Sequence, residues 1–282
     1  MKTLKEYLTW AEEKRVAIGH FNISDSEGFK AVVESAVALG VPVIIGVSEG
    51  ERDFIGITEI VALVRAEREK GLPVFLNADH TYSVEKVREA INAGFDAVII
   101  DGAGKSFEEN VSETRECIEY AKSKGSKVLV EGELGFIGRS SKILEKIPEG
   151  VSEETQTKPE DARKFIEETG IDLFAPSVGN IHGILKGGEP NLNIERIRAI
   201  ASAVNVPLVL HGASGNSEED IRSAMDAGIR IIHINTEIRL AYKAGIEKGL
   251  KSGEIAPYKF LAGGVEGMKR VVIEKLKLFN KL

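Results

Sequence analysis

Eight short apolar runs, each followed by a helix-like segment, constrain this chain more than any other feature of it. Val16 to Asn22 reads as the first strand and Val41 to Ser48 as the second. The third begins at Pro73-Val74-Phe75 and carries Asp79 and His80. Ala97 to Gly102, Lys127 to Glu133, Asp172 to Gly179, Pro207 to Gly212 and Ile229 to Thr236 supply the rest. Helices are predicted from Asp25 to about Leu39, Thr58 to Lys70, Ser83 to Asn92 and Phe107 to Lys124. Others run from Pro159 to Thr169, Asn193 to Val204, Ser217 to Ala227 and Glu237 to Leu250. Gly40, Gly71, Gly125 and Gly228 stop their helices, Thr58 is a plausible cap, and Pro159 suits a first turn. Leu4 to Lys14 adds an amphipathic N-terminal helix and Ala256 to Leu282 a C-terminal helical extension. Phe136 to Lys158 is polar, charged and poorly periodic, and reads mostly as a long loop.

The strands are mostly uniform in their apolar character, which suits a parallel sheet covered on both faces. Eight such repeats suit a closed (β/α)8 TIM barrel of the α/β class, a fold that needs ~250 residues as one unit. The 282 residues show no linker or low-complexity segment, so residues 1–282 are expected to form a single barrel domain. An open doubly wound sheet is the alternative, but no glycine-rich dinucleotide fingerprint follows the first strand.

The net charge of −7 argues against a nucleic-acid surface. No run approaches the ~20 apolar residues of a membrane span, and Met1-Lys2-Thr3-Leu4 begins no signal peptide. The single cysteine, Cys117, excludes an internal disulfide and a cysteine-rich zinc site, and fits a reducing cytoplasm.

In a closed barrel the strand ends converge on one mouth. They would place Asn22, Ser48, Asp79, His80, Asp101, Glu133, His182, His211 and Asn235 there. His80, His182 and His211 end strands three, six and seven, and three imidazoles with an open fourth position suit a catalytic zinc ion. Asp79 and His80 are neighbours on a strand-like backbone and are expected to point different ways, one toward a metal and one toward a proton. A solvated strand end with Asp79 as a helix cap is the plainer alternative. His20 is expected to be a packed, hydrogen-bonded imidazole. Gly179, Gly183, Gly212 and Gly215, with Ser214 and Thr236 before helices, suggest a phosphate site near strands seven and eight. Each glycine alone could equally serve an ordinary loop. A metal, a phosphate and an acid together suggest aldol cleavage and condensation. Zinc would stabilise an enediolate, and a carboxyl group would move the proton at the aldehyde oxygen. No lysine stands at the inner end of a strand to form a Schiff base.

Several stretches carry a resemblance: Gly19-His20-Phe21-Asn22, Ala78-Asp79-His80, Ile100-Asp101-Gly102, Glu109-Asn110 with Thr114, and Glu131-Gly132-Glu133-Leu134-Gly135. Gly179-Asn180-Ile181-His182-Gly183, His211-Gly212-Ala213-Ser214-Gly215 and Asn235-Thr236-Glu237 complete the set. In this order they make the chain, from about Ala17 to Leu278, similar to the class II fructose-bisphosphate aldolases, which include the tagatose-bisphosphate aldolases. The resemblance implies a barrel that uses zinc (Zn2+) and releases dihydroxyacetone phosphate, with glyceraldehyde 3-phosphate as the partner when fructose 1,6-bisphosphate is cleaved. It makes His80, His182 and His211 the zinc ligands, and gives Glu133 and Asp101 an alternative metal position or its surroundings. Asp79 becomes the proton carrier, Asn22 a substrate contact near zinc, and Ser48 a neighbour of the distal phosphate. Gly183, Lys186, Gly212, Ser214 and Thr236 would cradle the dihydroxyacetone phosphate group, with Asn235 also at the substrate. A monovalent cation such as Na+ or K+, a homodimer or homotetramer and a cytoplasmic location are further implications.

Three departures stand out. The family's loop glutamate, which abstracts a proton, falls on Ser141, leaving Glu145, Glu149, Glu153 or Glu154 as substitutes. His233 stands where the family carries an asparagine, as a fourth imidazole near the metal or a replacement base. Pro257-Tyr258 replaces a Pro-Arg pair serving the distal phosphate, with Lys259 adjacent. The rival readings are an aldolase with another aldehyde partner, a metal-containing phosphosugar-binding barrel without catalysis, and a zinc hydrolase.

Overall fold

The computed structural model describes residues 2–125, 127–187 and 191–282. Eight parallel strands close into a barrel: β1 (Ile18–Asn22), β2 (Val43–Val47), β3 (Val74–Thr81), β4 (Ala97–Ile100), β5 (Leu129–Leu134), β6 (Leu173–Pro176), β7 (Leu208–Leu210) and β8 (Ile229–Ile234). They pair in chain order, and β1 closes the ring on β8. The closed (β/α)8 barrel expected from the repeats is thus the observed architecture.

The helix α1 (Leu4–Lys14) plugs the N-terminal end of the barrel. Thr3 and Glu6 form a reciprocal cap at its start, and Leu4, Leu8 and Ala11 share one buried stripe. That stripe packs with Ile18, Ile44, Phe75, Ala97, Leu129, Leu173, Val209 and Ile231, contributed one from each strand. Successive strand residues face opposite sides, so the next inward residues lie two positions on. They include His20, Gly46, Asn77, Glu131, His211 and His233, and then Asn22, Asp79 and Glu133. The interior is therefore apolar at the bottom and polar at the top. The outward faces carry the larger core, against helices such as α2 (Ser26–Leu39).

Gly46 shows how tightly the polar layer is packed. A Cβ there would stand 2.0 Å from Cε1 of the buried His20 ring. Gly46→Ala is expected to destabilise the fold by about 1–3 kcal/mol through overpacking. A urea midpoint equal to the parent's would show that the His20 ring has room to move.

Three expectations are corrected. Asp79 and His80 do not diverge. The pairing of β3 with β4 shifts between Ala78 and Thr81, and His80 has φ 36°. This bulge re-aims the chain so that both side chains line the same cavity. A left-handed non-glycine residue costs about 1–2 kcal/mol, a strain held here at the site itself. Second, the helix predicted from Thr58 is preceded by a short one. α3 (Glu49–Ile55) follows Ser48, and α4 (Ile57–Glu69) starts after Gly56. Third, the long loop is partly ordered. Ile143–Leu144 pairs in parallel with Ile184–Leu185, and Glu153–Thr155 forms a single 3-10 turn.

The remaining helices are α5 (Val84–Ala93), α6 (Phe107–Ser123), α7 (Pro159–Thr169), α8 (Ile194–Ala203), α9 (Glu218–Ala227) and α10 (Thr236–Lys251). The C-terminal extension is α11 (Pro257–Phe260) and α12 (Ala262–Asn280), the latter packed on α10 and α2. No described helix is long and apolar enough to cross a membrane.

Candidate metal centre and active site

His80, His182 and His211 each offer a ligand atom, and these atoms all lie within 4.8 Å of one another. The rings are held from behind. His80 Nδ1 lies 3.0 Å from Asp101 Oδ2, and His211 Nε2 lies 2.8 Å from Glu131 Oε1. His182 Nδ1–H donates to the Gly138 carbonyl at 2.7 Å, so its other nitrogen keeps a lone pair. Such anchoring fixes ring orientation at metal sites. Asn110 donates to the Glu133 carbonyl at 2.8 Å, and Asn180 donates to that of His211 at 2.9 Å, tying the strand ends together.

The electrostatics favour a cation among these groups. Burial keeps His182 and His211 neutral, pushing both down to about 3. Burial opposes charge on His80 as well, but Asp79, Asp101 and Glu133 outweigh it and raise the ring to about 10. Burial and Asp79 push Glu131 well above the usual carboxylate range, and burial and Asp101 do the same to Glu133. His211 Nδ1 and Glu133 Oε2 are buried without a hydrogen-bond partner, an arrangement costing about 1–3 kcal/mol per group unless a ligand meets them. The donor set thus fits a metal ion. His80, Asp101 and Glu133 form a second close group of donor atoms sharing His80.

The Glu131–His211 contact yields a graded test. Glu131→Gln keeps the shape and replaces the carboxyl group behind the ring with an amide, so metal affinity is expected to fall roughly 10–100-fold. Competition with a chromophoric chelator measures it, and unchanged affinity would remove Glu131 from the support of His211.

Asp79 lies beside this cluster, 3% exposed. Its Oδ2 accepts from Asn22 Nδ2 at 2.8 Å, and its Oδ1 lies 3.8 Å from His80 Nε2 and 3.6 Å from His233 Nδ1. Burial alone would raise its pKa; the neighbouring imidazoles of His80, His20 and His211 hold it well below the usual range. His233 is sandwiched between His20, with ring centres 3.5 Å apart and planes at 3°, and His211 at 4.2 Å. His20 is the packed, hydrogen-bonded imidazole expected, 3.2 Å from Asn77 Nδ2. His20, Asp79 and His233 also bring donor atoms close together. Lone pairs in parallel stacked rings run side by side and do not converge on one ion, so we read this group as a packing stack.

One cavity is lined by Asn22, Ser48, Asp79, His80, Asp101 and His182, and also by Gly183, Gly212, Ser214, His233, Asn235 and Thr236. Gly212 has φ 59°, and a Cβ on it would meet the Ile181 carbonyl at 2.1 Å. Ser141 is at the same cavity, its Oγ 3.4 Å from Asn235 Nδ2. Glu133 and His211 stand behind this surface. Lys186 is not in the lining; its Nζ pairs with Glu145 at 3.0 Å on the exposed side. Glu145, Glu149, Glu153 and Glu154 are all exposed and none lines the cavity. Tyr258 is exposed and Lys259 pairs with Glu254 at 3.1 Å, both away from the cavity lining.

Residues that sequence reasoning passed over complete the wall. Tyr82, Arg139 and Arg239 line the cavity. Arg239 lies three residues after Thr236, a helical spacing that places both on one face of the first turn of α10. Glu131 precedes Glu133 by two, the spacing of one strand face.

A (β/α)8 barrel whose mouth gathers three histidines, a buried acid and a small-residue rim has the donor set and enclosure that suit metal-assisted chemistry. The pattern described as "Fructose-bisphosphate aldolase class-II" matches residues 2–282, and the chain belongs to that family, whose members are carbon–carbon lyases. It is 36% identical over 284 residues to the fructose-bisphosphate aldolase of Staphylococcus aureus (strain Mu50), covering 99% of this chain and 96% of that one. The YdjI aldolase of Escherichia coli K12 superposes with a TM-score of 0.83 at 30% identity, covering 99% and 97%. The fructose-bisphosphate aldolase of Campylobacter jejuni does so with 0.80 at 23% identity, covering 98% and 94%, a likeness of fold.

Proposed function

We propose that this aldolase cleaves ketose 1-phosphates reversibly between C3 and C4, fructose 1,6-bisphosphate among them, with zinc held by His80, His182 and His211. The observation carrying this is the convergence of three anchored imidazoles beside buried Asp79. When bound, zinc would polarise the ketose carbonyl and lower the energy of the charge left after cleavage. Asp79 takes the proton of the C4 hydroxyl as the C3–C4 bond breaks, and its electron pair stays on C3. Asn22 fixes the Asp79 carboxylate. Gly183, Gly212, Ser214 and Thr236 hold the C1 phosphate, with the start of α10 directed at it. C3 then takes up a proton to give dihydroxyacetone phosphate.

That last proton needs a second carrier. Outside the metal set and Asp79, the described cavity-lining side chains able to carry it are Tyr82 and His233. Burial, Asp101 and Asp79 push Tyr82 up to about 12, so it keeps its proton at neutral pH. Family membership supports a monovalent cation (Na+ or K+) beside the phosphate, a homodimer or homotetramer, and a cytoplasmic location.

Ser141, in place of an acid, favours a second reading: a barrel that binds phosphosugars without catalysis. Exchange of a carbon-bound proton of dihydroxyacetone phosphate with deuterated solvent separates the two. The zinc-loaded protein is expected to catalyse it. Binding of dihydroxyacetone phosphate without exchange would favour the second reading.

A further inference from the structure

We propose that Glu51 determines the aldehyde end of the substrate, matching it to an uncharged, hydroxyl-bearing group and denying a second phosphate any advantage. This rests on the aldol reading above. Glu51 lies on α3 and is 5% exposed. Its Oε2 accepts from Ser48 N at 2.7 Å, Ser48 Oγ at 2.9 Å and Asn22 Nδ2 at 2.9 Å, and its Oε1 accepts from Arg239 Nη2. All three partners line the cavity, and Glu51 stands behind them.

The direction of these hydrogen bonds decides what the wall can bind. Carboxylates only accept, so both Asn22 amide hydrogens are committed, one to Glu51 and one to Asp79. Asn22 can then offer a substrate only its carbonyl oxygen. Ser48 spends its N–H and its O–H on Glu51, leaving its oxygen to accept. Two groups that could have donated are thereby made acceptors. A sugar hydroxyl can donate to them, whereas a phosphate dianion brings only acceptors and meets like polarity. Arg239 retains other N–H groups, but its charge is balanced by Glu51. The adjacent Arg52 does not restore a positive wall. It is buried and turned away, donating to the Val47 carbonyl at 2.7 Å and Thr81 Oγ1 at 3.0 Å.

Barrel order places this wall at the aldehyde end. The small-residue cradle follows strands six to eight, and the acid and His80 follow strand three. The remaining substrate carbons then run along the rim of strands one and two, where Asn22 and Ser48 stand. Arg139, over the Tyr82 ring at 6.0 Å, is a further cation of the cavity lining, so the test measures the whole wall.

The test compares fructose 1-phosphate with fructose 1,6-bisphosphate, as kcat/KM for release of dihydroxyacetone phosphate by the zinc-loaded protein. The wild type is expected to cleave the monophosphate at least as well as the bisphosphate. Glu51→Gln, which removes the charge and frees a donor, is expected to shift the ratio toward the bisphosphate by about tenfold or more. Glu51→Ala should shift it in the same direction. The ratio is internal to each variant, so partial loss of folded protein does not affect it. A wild-type preference of about tenfold or more for the bisphosphate, or a ratio unmoved in both variants, would overturn the assignment while leaving the aldol reading intact. Cleavage of neither sugar by the zinc-loaded wild type would instead sink the aldol reading, and the inference with it.

Discussion

Asp79→Asn is expected to keep its metal and to lower kcat by roughly 10²–10⁴, the range in which a positioned acid or base contributes. The substitution preserves shape. Asn22 can still donate to the oxygen it meets at 2.8 Å in the parent. What disappears is the ability to take the C4 proton. Asp79 lies beside the three imidazoles without belonging to the three-histidine group, so metal content should be unchanged. Turnover at saturating substrate and zinc per chain by mass spectrometry provide the two readouts. Retained kcat would move the acid role elsewhere in the cavity. Loss of metal would instead make Asp79 part of the metal centre.

His211→Ala has the other large effect: zinc should fall from about one per chain to background, and cleavage with it. Structural zinc sites are four-coordinate and catalytic ones use three protein ligands, so removing one of three leaves too few. The ring is 1% exposed between Glu131 and Glu133, at 2.8 and 3.5 Å. Its removal leaves buried carboxylates without a partner, costing about 1–3 kcal/mol in addition. Far-UV circular dichroism therefore accompanies the metal assay. Zinc retained at about one per chain in a folded variant would take His211 out of the ligand set.

The barrel was legible because its signals are local: apolar runs, glycine stops and capping residues recur along the chain. His80 and His211 were legible because strand ends of a closed barrel must converge; His182, expected at the end of the sixth strand, instead lies on the loop after β6, which stops at Pro176. What escaped depended on pairing between distant segments. The bulge at His80 arises from the register of β3 on β4, which nothing within Asn77 to Thr81 specifies. α3 is 7 residues long with a glycine at its second position, too brief for a periodic signal. The ribbon of Ile143–Leu144 and Ile184–Leu185 joins two-residue segments across β6. Glu51 looks like a surface charge in sequence. Its role comes from Asn22, Ser48 and Arg239, which arrive from β1, the end of β2 and α10. Conversely, the loop glutamates and Lys186 looked available because charge patterns do not show which side of a loop faces the cavity.

Metal-dependent aldol cleavage is tested by dihydroxyacetone phosphate release from fructose 1,6-bisphosphate and fructose 1-phosphate, with and without chelator. Release that chelation abolishes and added zinc restores is the predicted result. Release that persists in metal-free protein, or its absence for both sugars with zinc demonstrably bound, would rule that chemistry out.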